Sequence, residues 1–211
     1  MPGHGYSAPL PQGFELDDWV KVLAARFDAP LVLCGWSLGG LVALRWAELH
    51  PQQITRLVLL ASTPCFVQRP AWDCAMPTGV FQAFARSLTQ PGQATLLRFL
   101  SLQVQGSDAA RATLASLREK LTQRGEPHQM ALRDGLVLLR DTDLRKALPQ
   151  IKQPALVVAG ESDTLVPFAA AEYLAQALPN ARLIGIAGAA HVPHLSHTQR
   201  FVEQVEDFLH E

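Results

Sequence analysis

Several features are scarce in this sequence. Its longest apolar runs, such as Leu57 to Ala61 and Ala155 to Ala159, stop far short of the roughly 20 residues that a membrane span needs. No basic-then-apolar leader pattern stands near Met1, so a cytoplasmic chain without membrane attachment is expected. The 3 cysteines, Cys34, Cys65 and Cys74, form no metal-ligand spacing, so neither a disulfide framework nor a zinc site is expected. Cys34, inside an apolar run, reads as a small core residue. There is no phosphate-cradling glycine loop, repeat or low-complexity tract, and no cofactor or metal is expected. A net charge of −1 gives no reason to expect nucleic-acid binding.

What is present suits one globular domain with a substantial core: 211 residues, of which 48% are apolar. Charge is unevenly spread. From Pro64 to Gln153 there are 12 Lys or Arg against 7 Asp or Glu, and the flanks reverse the balance with 6 against 12. Met1 to Gln12 reads as loop, with a turn over Pro2 to Ser7. Phe14 to Phe27 has the spacing of an amphipathic helix, through Leu16, Trp19, Val20, Leu23 and Phe27. Leu31 to Cys34 and Ile54 to Ala61 read as parallel strands buried on both faces. Strand signals then give way to helical patterns over roughly Gly79–Leu88, Gln93–Gln103, Asp108–Gln123 and Pro127–Arg140. Strands resume at Ala155 to Gly160 and Ala181 to Ile186, with helices over Pro167 to Leu178 and Thr198 to Leu209. The pattern predicts an α/β doubly wound, mostly parallel sheet with a helical cap inserted. The core is expected over 1–63 and 154–211, and the cap over 64–153.

The chemistry gathers at Gly35-Trp36-Ser37-Leu38-Gly39. A strand that turns straight into a helix leaves little room beside the turn, so glycines at 35 and 39 are expected to be sterically required. Ser37 would stand above the sheet, with the Leu38 amide at a helix N-terminus available to an oxyanion. A serine hydroxyl needs a base to take its proton and an acid to orient that base. Asp163 follows the strand ending at Gly160, and His191 follows the strand ending at Ile186. Both lie where parallel sheets collect functional groups. Glu161 competes for the acid role, and His194 and His197 for the base; the expected triad is Ser37, Asp163 and His191.

At these residues the chain resembles the α/β-hydrolase family, whose triad has this order. Within that family it resembles the carboxylesterases of biotin synthesis, which cleave the methyl ester of pimeloyl-acyl-carrier protein. The matching segments are Leu33-Cys34-Gly35-Trp36-Ser37-Leu38-Gly39-Gly40-Leu41-Val42-Ala43, Ala61-Ser62-Thr63-Pro64-Cys65-Phe66, Arg98-Phe99-Leu100-Ser101-Leu102-Gln103, Asp143-Leu144-Arg145 and Ala189-Ala190-His191-Val192-Pro193. The resemblance implies a serine carboxylesterase, expected to be a monomer. It also implies an acyl pocket bordered by Leu38, Phe99, Leu100, Ser101, Leu102 and Gln103. Arg98 and Arg111 would meet the carrier protein, although Ala94 and Ala115 stand where other basic residues of that surface fall. The basic middle of the chain would attract an acidic carrier. The competing readings are a general short-chain esterase, thioesterase or carbon–carbon hydrolase, and a catalytically silent fragment.

The family pattern places further residues before its Pro-Gly-x-Gly-x-Ser loop, where this chain has Met1. By that comparison the first third is expected to be absent, including several strands and a loop supplying a second oxyanion amide. The strand before the elbow would then be an open edge prone to aggregation. Losing one oxyanion donor would cost on the order of a hundredfold to a thousandfold in rate.

Overall fold

A computed structural model describes residues 1–3, 6–8, 15–88, 93–124 and 128–211. His4 and Gly5 of the predicted turn, Phe14 at the predicted helix start and Pro127 lie outside the described residues.

Helix α1 (Leu16–Ala24) opens with a capping box in which the Asp18 carboxylate accepts from the Glu15 amide at 3.1 Å. It ends before Phe27, which is half exposed and stacks obliquely on Trp46, with ring centroids 5.9 Å apart. Strand β1 (Leu31–Trp36) runs into α2 (Leu38–Leu49), followed by β2 (Ile54–Leu60). Among the described residues, four helices come next: α3 (Thr78–Leu88), α4 (Gln93–Val104), α5 (Ala110–Arg124) and α6 (Gln129–Asp141). A 3₁₀ turn (Leu148–Gln150) leads to β3 (Ala155–Gly160), α7 (Phe168–Ala177), β4 (Ala181–Ile186), the short α8 (Pro193–Ser196) and α9 (Thr198–His210).

The strands pair in parallel in the order β1-β2-β3-β4. Alternation along β2 and β3 decides which helix each side chain meets. Leu57, Leu59, Ala155 and Val157 belong to a core shared with α1, α2 and α7. Val58, Leu60, Leu156 and Val158 face the other way, onto Phe208 of α9. Helices therefore cover both faces, as a buried parallel sheet requires. β1 is an edge strand, as expected, but it is not buried on both faces: α9 packs on the side chains of β2 to β4 and leaves the outer face of β1 largely to solvent. Val32 is 44% exposed, Trp36 is 38% exposed, and Cys34 is a surface residue rather than a core one. Leu31 and Leu33, on the other face, pack into the main core.

The helical segment leaves and rejoins the sheet through a narrow neck. The Leu144 amide donates to the Pro64 carbonyl at 2.9 Å, and Cys65 forms an antiparallel bridge with Asp143. Asp143 is clamped by Arg145, whose guanidinium also lies over Trp72, 5.3 Å from the ring centroid. That guanidinium holds the Asp143 carboxyl below its ordinary pKa. Among the described residues no helix is long and apolar enough to cross a membrane.

Candidate active site

The turn from β1 to α2 puts Ser37 at φ 53° and ψ −119°, a backbone region that a residue with a side chain occupies only under strain. The turn is held from below, where the Ser37 amide donates to the Leu60 carbonyl at 2.9 Å. Crowding falls differently from the motif-based expectation. A Cβ on Gly35 would sit 2.4 Å from the Gly39 carbonyl oxygen, so glycine is required there. Among the described residues, a Cβ on Gly39 would meet nothing nearer than Met1 Sδ at 3.9 Å, an ordinary contact. The second intolerant position is Gly40, where a Cβ would lie 2.0 Å from Ser62 Oγ. Ser62 is buried with its hydroxyl 2.9 Å from the Leu60 carbonyl, so it fills the space beside the turn.

Ser37 Oγ lies 2.9 Å from His191 Nε2, and His191 Nδ1 lies 2.7 Å from Asp163 Oδ2. The other carboxylate oxygen, Asp163 Oδ1, accepts from the Leu165 and Val166 amides at 2.9 and 3.0 Å. Asp163 and His191 are both buried. Three residues 154 and 28 positions apart in sequence thus form one hydrogen-bonded line above the ends of β1, β3 and β4. Trp36 Nε1 donates to the His191 carbonyl at 2.9 Å, fixing the loop from the strand side.

The competing residues fall elsewhere. Glu161 is exposed, with its carboxylate against Gly185. His197 pairs with Asp108 at 3.4 Å and with Ser196 Oγ at 2.9 Å. His194 packs edge-on against Trp36, with ring centroids 5.2 Å apart. Burial, followed by the neighbouring His191 and Lys120, lowers its pKa to about 4, so it is neutral at neutral pH.

A cavity of about 420 Å³ opens beside Ser37 and His191. Leu38, Phe99, Leu100 and Gln103 line it, but Ser101 and Leu102 do not. Ser101 turns its hydroxyl back to the Leu97 carbonyl at 2.9 Å, and both residues border a separate groove between α4 and α5 that Arg111 also borders. The reason is helical geometry: over five consecutive residues, 99, 100 and 103 share one face and 101 and 102 point away from it. Arg98 and Arg111 are exposed. Sequence reasoning missed most of the remaining wall, which comes from Phe84 and Leu88 of α3, Leu136 and Leu139 of α6, and Phe66 and Leu165. The one signal in the sequence is Gly135, a glycine inside the helical pattern of α6; a Cβ there would come within 3.2 Å of Leu38 Cδ2. Gln103 is buried, and its side-chain Oε1 has no hydrogen-bond partner among the described residues. Among the described residues no group of three or more His, Cys, Asp or Glu is placed to hold a metal ion.

Residues 1–198 match the family described as alpha/beta hydrolase fold. A protein of Xanthomonas oryzae pv. oryzae named pimeloyl-[acyl-carrier protein] methyl ester esterase is 43% identical over 209 residues, covering 99% of this chain and 82% of that protein. A protein of the same name from Nitrosomonas europaea is 40% identical over 202 residues, covering 96% and 80%. The uncovered share of these relatives is nearer a fifth than the third expected from the sequence. Among solved structures, an esterase from Exiguobacterium antarcticum superposes with a TM-score of 0.87 at 22% identity, covering 99% of this chain and 79% of the other. The enol-lactonase from Burkholderia xenovorans LB400 gives 0.82 at 25% identity, covering 99% and 78%.

Proposed function

The chain belongs to the α/β-hydrolase family, and from that premise we propose that it is a serine esterase acting through Ser37, His191 and Asp163. One observation carries the reading: the continuous relay of 2.7 and 2.9 Å contacts from Asp163 through His191 to the Ser37 hydroxyl, at the mouth of an apolar cavity. Ser37 Oγ attacks the ester carbonyl while His191 Nε2 takes its proton. Negative charge developing on the carbonyl oxygen meets the Leu38 amide at the N-terminus of α2. His191 then returns the proton to the departing alcohol. The Ser37 acyl ester is hydrolysed by a water activated in the same way. Asp163 holds the imidazole with Nδ1 protonated, and the Leu165 and Val166 amides hold Asp163.

For the substrate we propose the methyl ester of pimeloyl-acyl-carrier protein, which places the reaction in biotin synthesis. The names of the Xanthomonas and Nitrosomonas relatives support this. So does the cavity, whose described lining is mostly apolar, with Ser37, His191 and Gln103 among its polar members, and suits a medium-length acyl chain. The carrier would meet the helical segment, where Arg98 and Arg111 are exposed. A general short-chain esterase is the second reading, favoured by the same wall, because among the described residues no Lys, Arg, Asp or Glu side chain lines it.

Ser37→Ala should abolish ester turnover and fluorophosphonate labelling without unfolding the chain; retained turnover would end the assignment. Turnover of a carrier-bound methyl ester should fall steeply with ionic strength, and turnover of a small free ester should not. Equal slopes would leave the general esterase.

A further inference from the structure

The end of α4 and the turn that follows it touch both loops of the relay. The Gln103 carbonyl accepts from the His191 amide at 3.1 Å. Gly106, at φ 91°, lies against the residue preceding Asp163, so that a Cβ on it would stand 2.7 Å from the Ser162 carbonyl oxygen. The Asp108 amide donates to the Gly188 carbonyl at 3.0 Å, three residues before His191. The Asp108 carboxylate occupies the space that a side chain at Gly188 would need, with Oδ2 2.3 Å from the Cβ position, and it reaches His197 Nε2 at 3.4 Å. The two loops are tied to each other beneath this turn, where the Ser162 amide donates to the Ala189 carbonyl at 2.9 Å. Residues 103–108 thus rest on a joined pair of loops, one carrying the acid and the other the base. The same helix supplies Phe99 and Leu100 to the cavity wall.

We propose that the 103–108 turn is a positioning element for the relay, with Gly106 and Asp108 holding the loops of Asp163 and His191 in the register that brings the imidazole to Ser37. The proposal rests on the triad reading given above. Neither residue touches the reacting atoms. Each acts by fixing where His191 stands, and displacing a reacting group by about 1 Å costs on the order of a hundredfold in rate. The substrate wall and the catalytic base therefore share one rigid support.

The test compares Gly106→Ala, Asp108→Ala, Asp108→Asn and Ser37→Ala in the whole chain, with 4-nitrophenyl butyrate as substrate. Gly106→Ala forces a side chain against the Ser162 backbone at a positive φ, and should lower kcat tenfold or more with KM within about twofold. The low-field proton resonance of His191 Nδ1–H should shift or broaden. Asp108 is exposed, so Asp108→Ala folds whether or not Gly106→Ala does. It should lower kcat about threefold to fivefold, the range open to an exposed ion pair. Asp108→Asn keeps the shape and the acceptor for His197, and should restore kcat to within about twofold. Wild-type kcat and an unmoved resonance in Asp108→Ala, or a change confined to KM, would overturn the positioning role. Ser37→Ala separates the two ideas: it should lose turnover while keeping the resonance, and turnover surviving in it would count against the triad rather than the turn.

Discussion

Replacing each elbow glycine by alanine tests the steric account of the turn, because the structure ranks the three sites differently from the Gly-x-Ser-x-Gly pattern. At Gly40 the new methyl would stand 2.0 Å from Ser62 Oγ and 2.4 Å from Ser62 Cβ, so one of them must move by more than 1 Å to reach ordinary contact. Ser62 has little freedom, being 1% exposed with its hydroxyl bonded to the Leu60 carbonyl. Overpacking of this kind costs about 1 to 3 kcal/mol, and breaking the Ser62 hydrogen bond adds about 1 kcal/mol. At Gly39 the methyl meets nothing among the described residues closer than 3.9 Å, on helical backbone where alanine gains up to about 1 kcal/mol over glycine. Gly39→Ala and Gly40→Ala should therefore differ by about 3 kcal/mol, which for a chain of this size separates their melting temperatures by roughly 6 to 12 °C. Gly35→Ala should be the most damaging, because its three nearest contacts are all backbone. Ser62→Gly should rescue Gly40→Ala and leave Gly35→Ala unimproved. Thermal melts followed by circular dichroism measure all of these. A Gly40→Ala protein melting with the wild type, or a Gly39→Ala protein falling as far as Gly40→Ala, would refute the reasoning.

Asp163→Asn keeps an acceptor for the Leu165 and Val166 amides but turns an NH₂ toward His191 Nδ1, forcing the tautomer that carries its proton on Nε2. The expected loss in kcat on a free ester is on the order of 10³ to 10⁴, with folding unchanged. Arg98→Glu combined with Arg111→Glu should raise KM for a carrier-bound ester at low salt and flatten its salt dependence, with kinetics on a free ester unaltered. His194 makes stability fall toward acid. Its ring in the unfolded chain takes up a proton near pH 6.5, and in the folded chain only near pH 4, so stability is lost as pH drops through that window and then levels off. His194→Gln should remove this loss, on the order of 2 kcal/mol once partial solvent access is allowed for, as read from urea melts at pH 7 and pH 4.5.

Much of this architecture was legible in the residues for identifiable reasons. β2 and β3 are short runs rich in branched apolar side chains and covered on two faces, so composition alone marks them. The relay was legible because order along a parallel sheet restricts which loops can meet. Cys34 misled because an apolar run does not reveal whether a helix covers its second face, and α9 packs on β2 to β4. Ser101 and Leu102 misled because a five-residue resemblance is linear and a helix presents only part of it to a cavity. Gly40 was missed because its constraint lies 22 positions away, in Ser62. The contacts of Gly106 and Gly188 are likewise invisible in sequence, since each depends on a partner brought close only by the fold.

The neck formed by Pro64 with Leu144 and by Cys65 with Asp143 brings the two ends of a long helical stretch side by side. For engineering, this makes the stretch a cassette: a helix can be lengthened, shortened or exchanged inside it without changing the gap its ends must bridge, and extra loop length costs little. Substrate range could then be redesigned with the sheet left as it stands. The contact at Gly106 sets the boundary of that freedom, since a graft that discards it would carry away part of the mounting on which the imidazole sits.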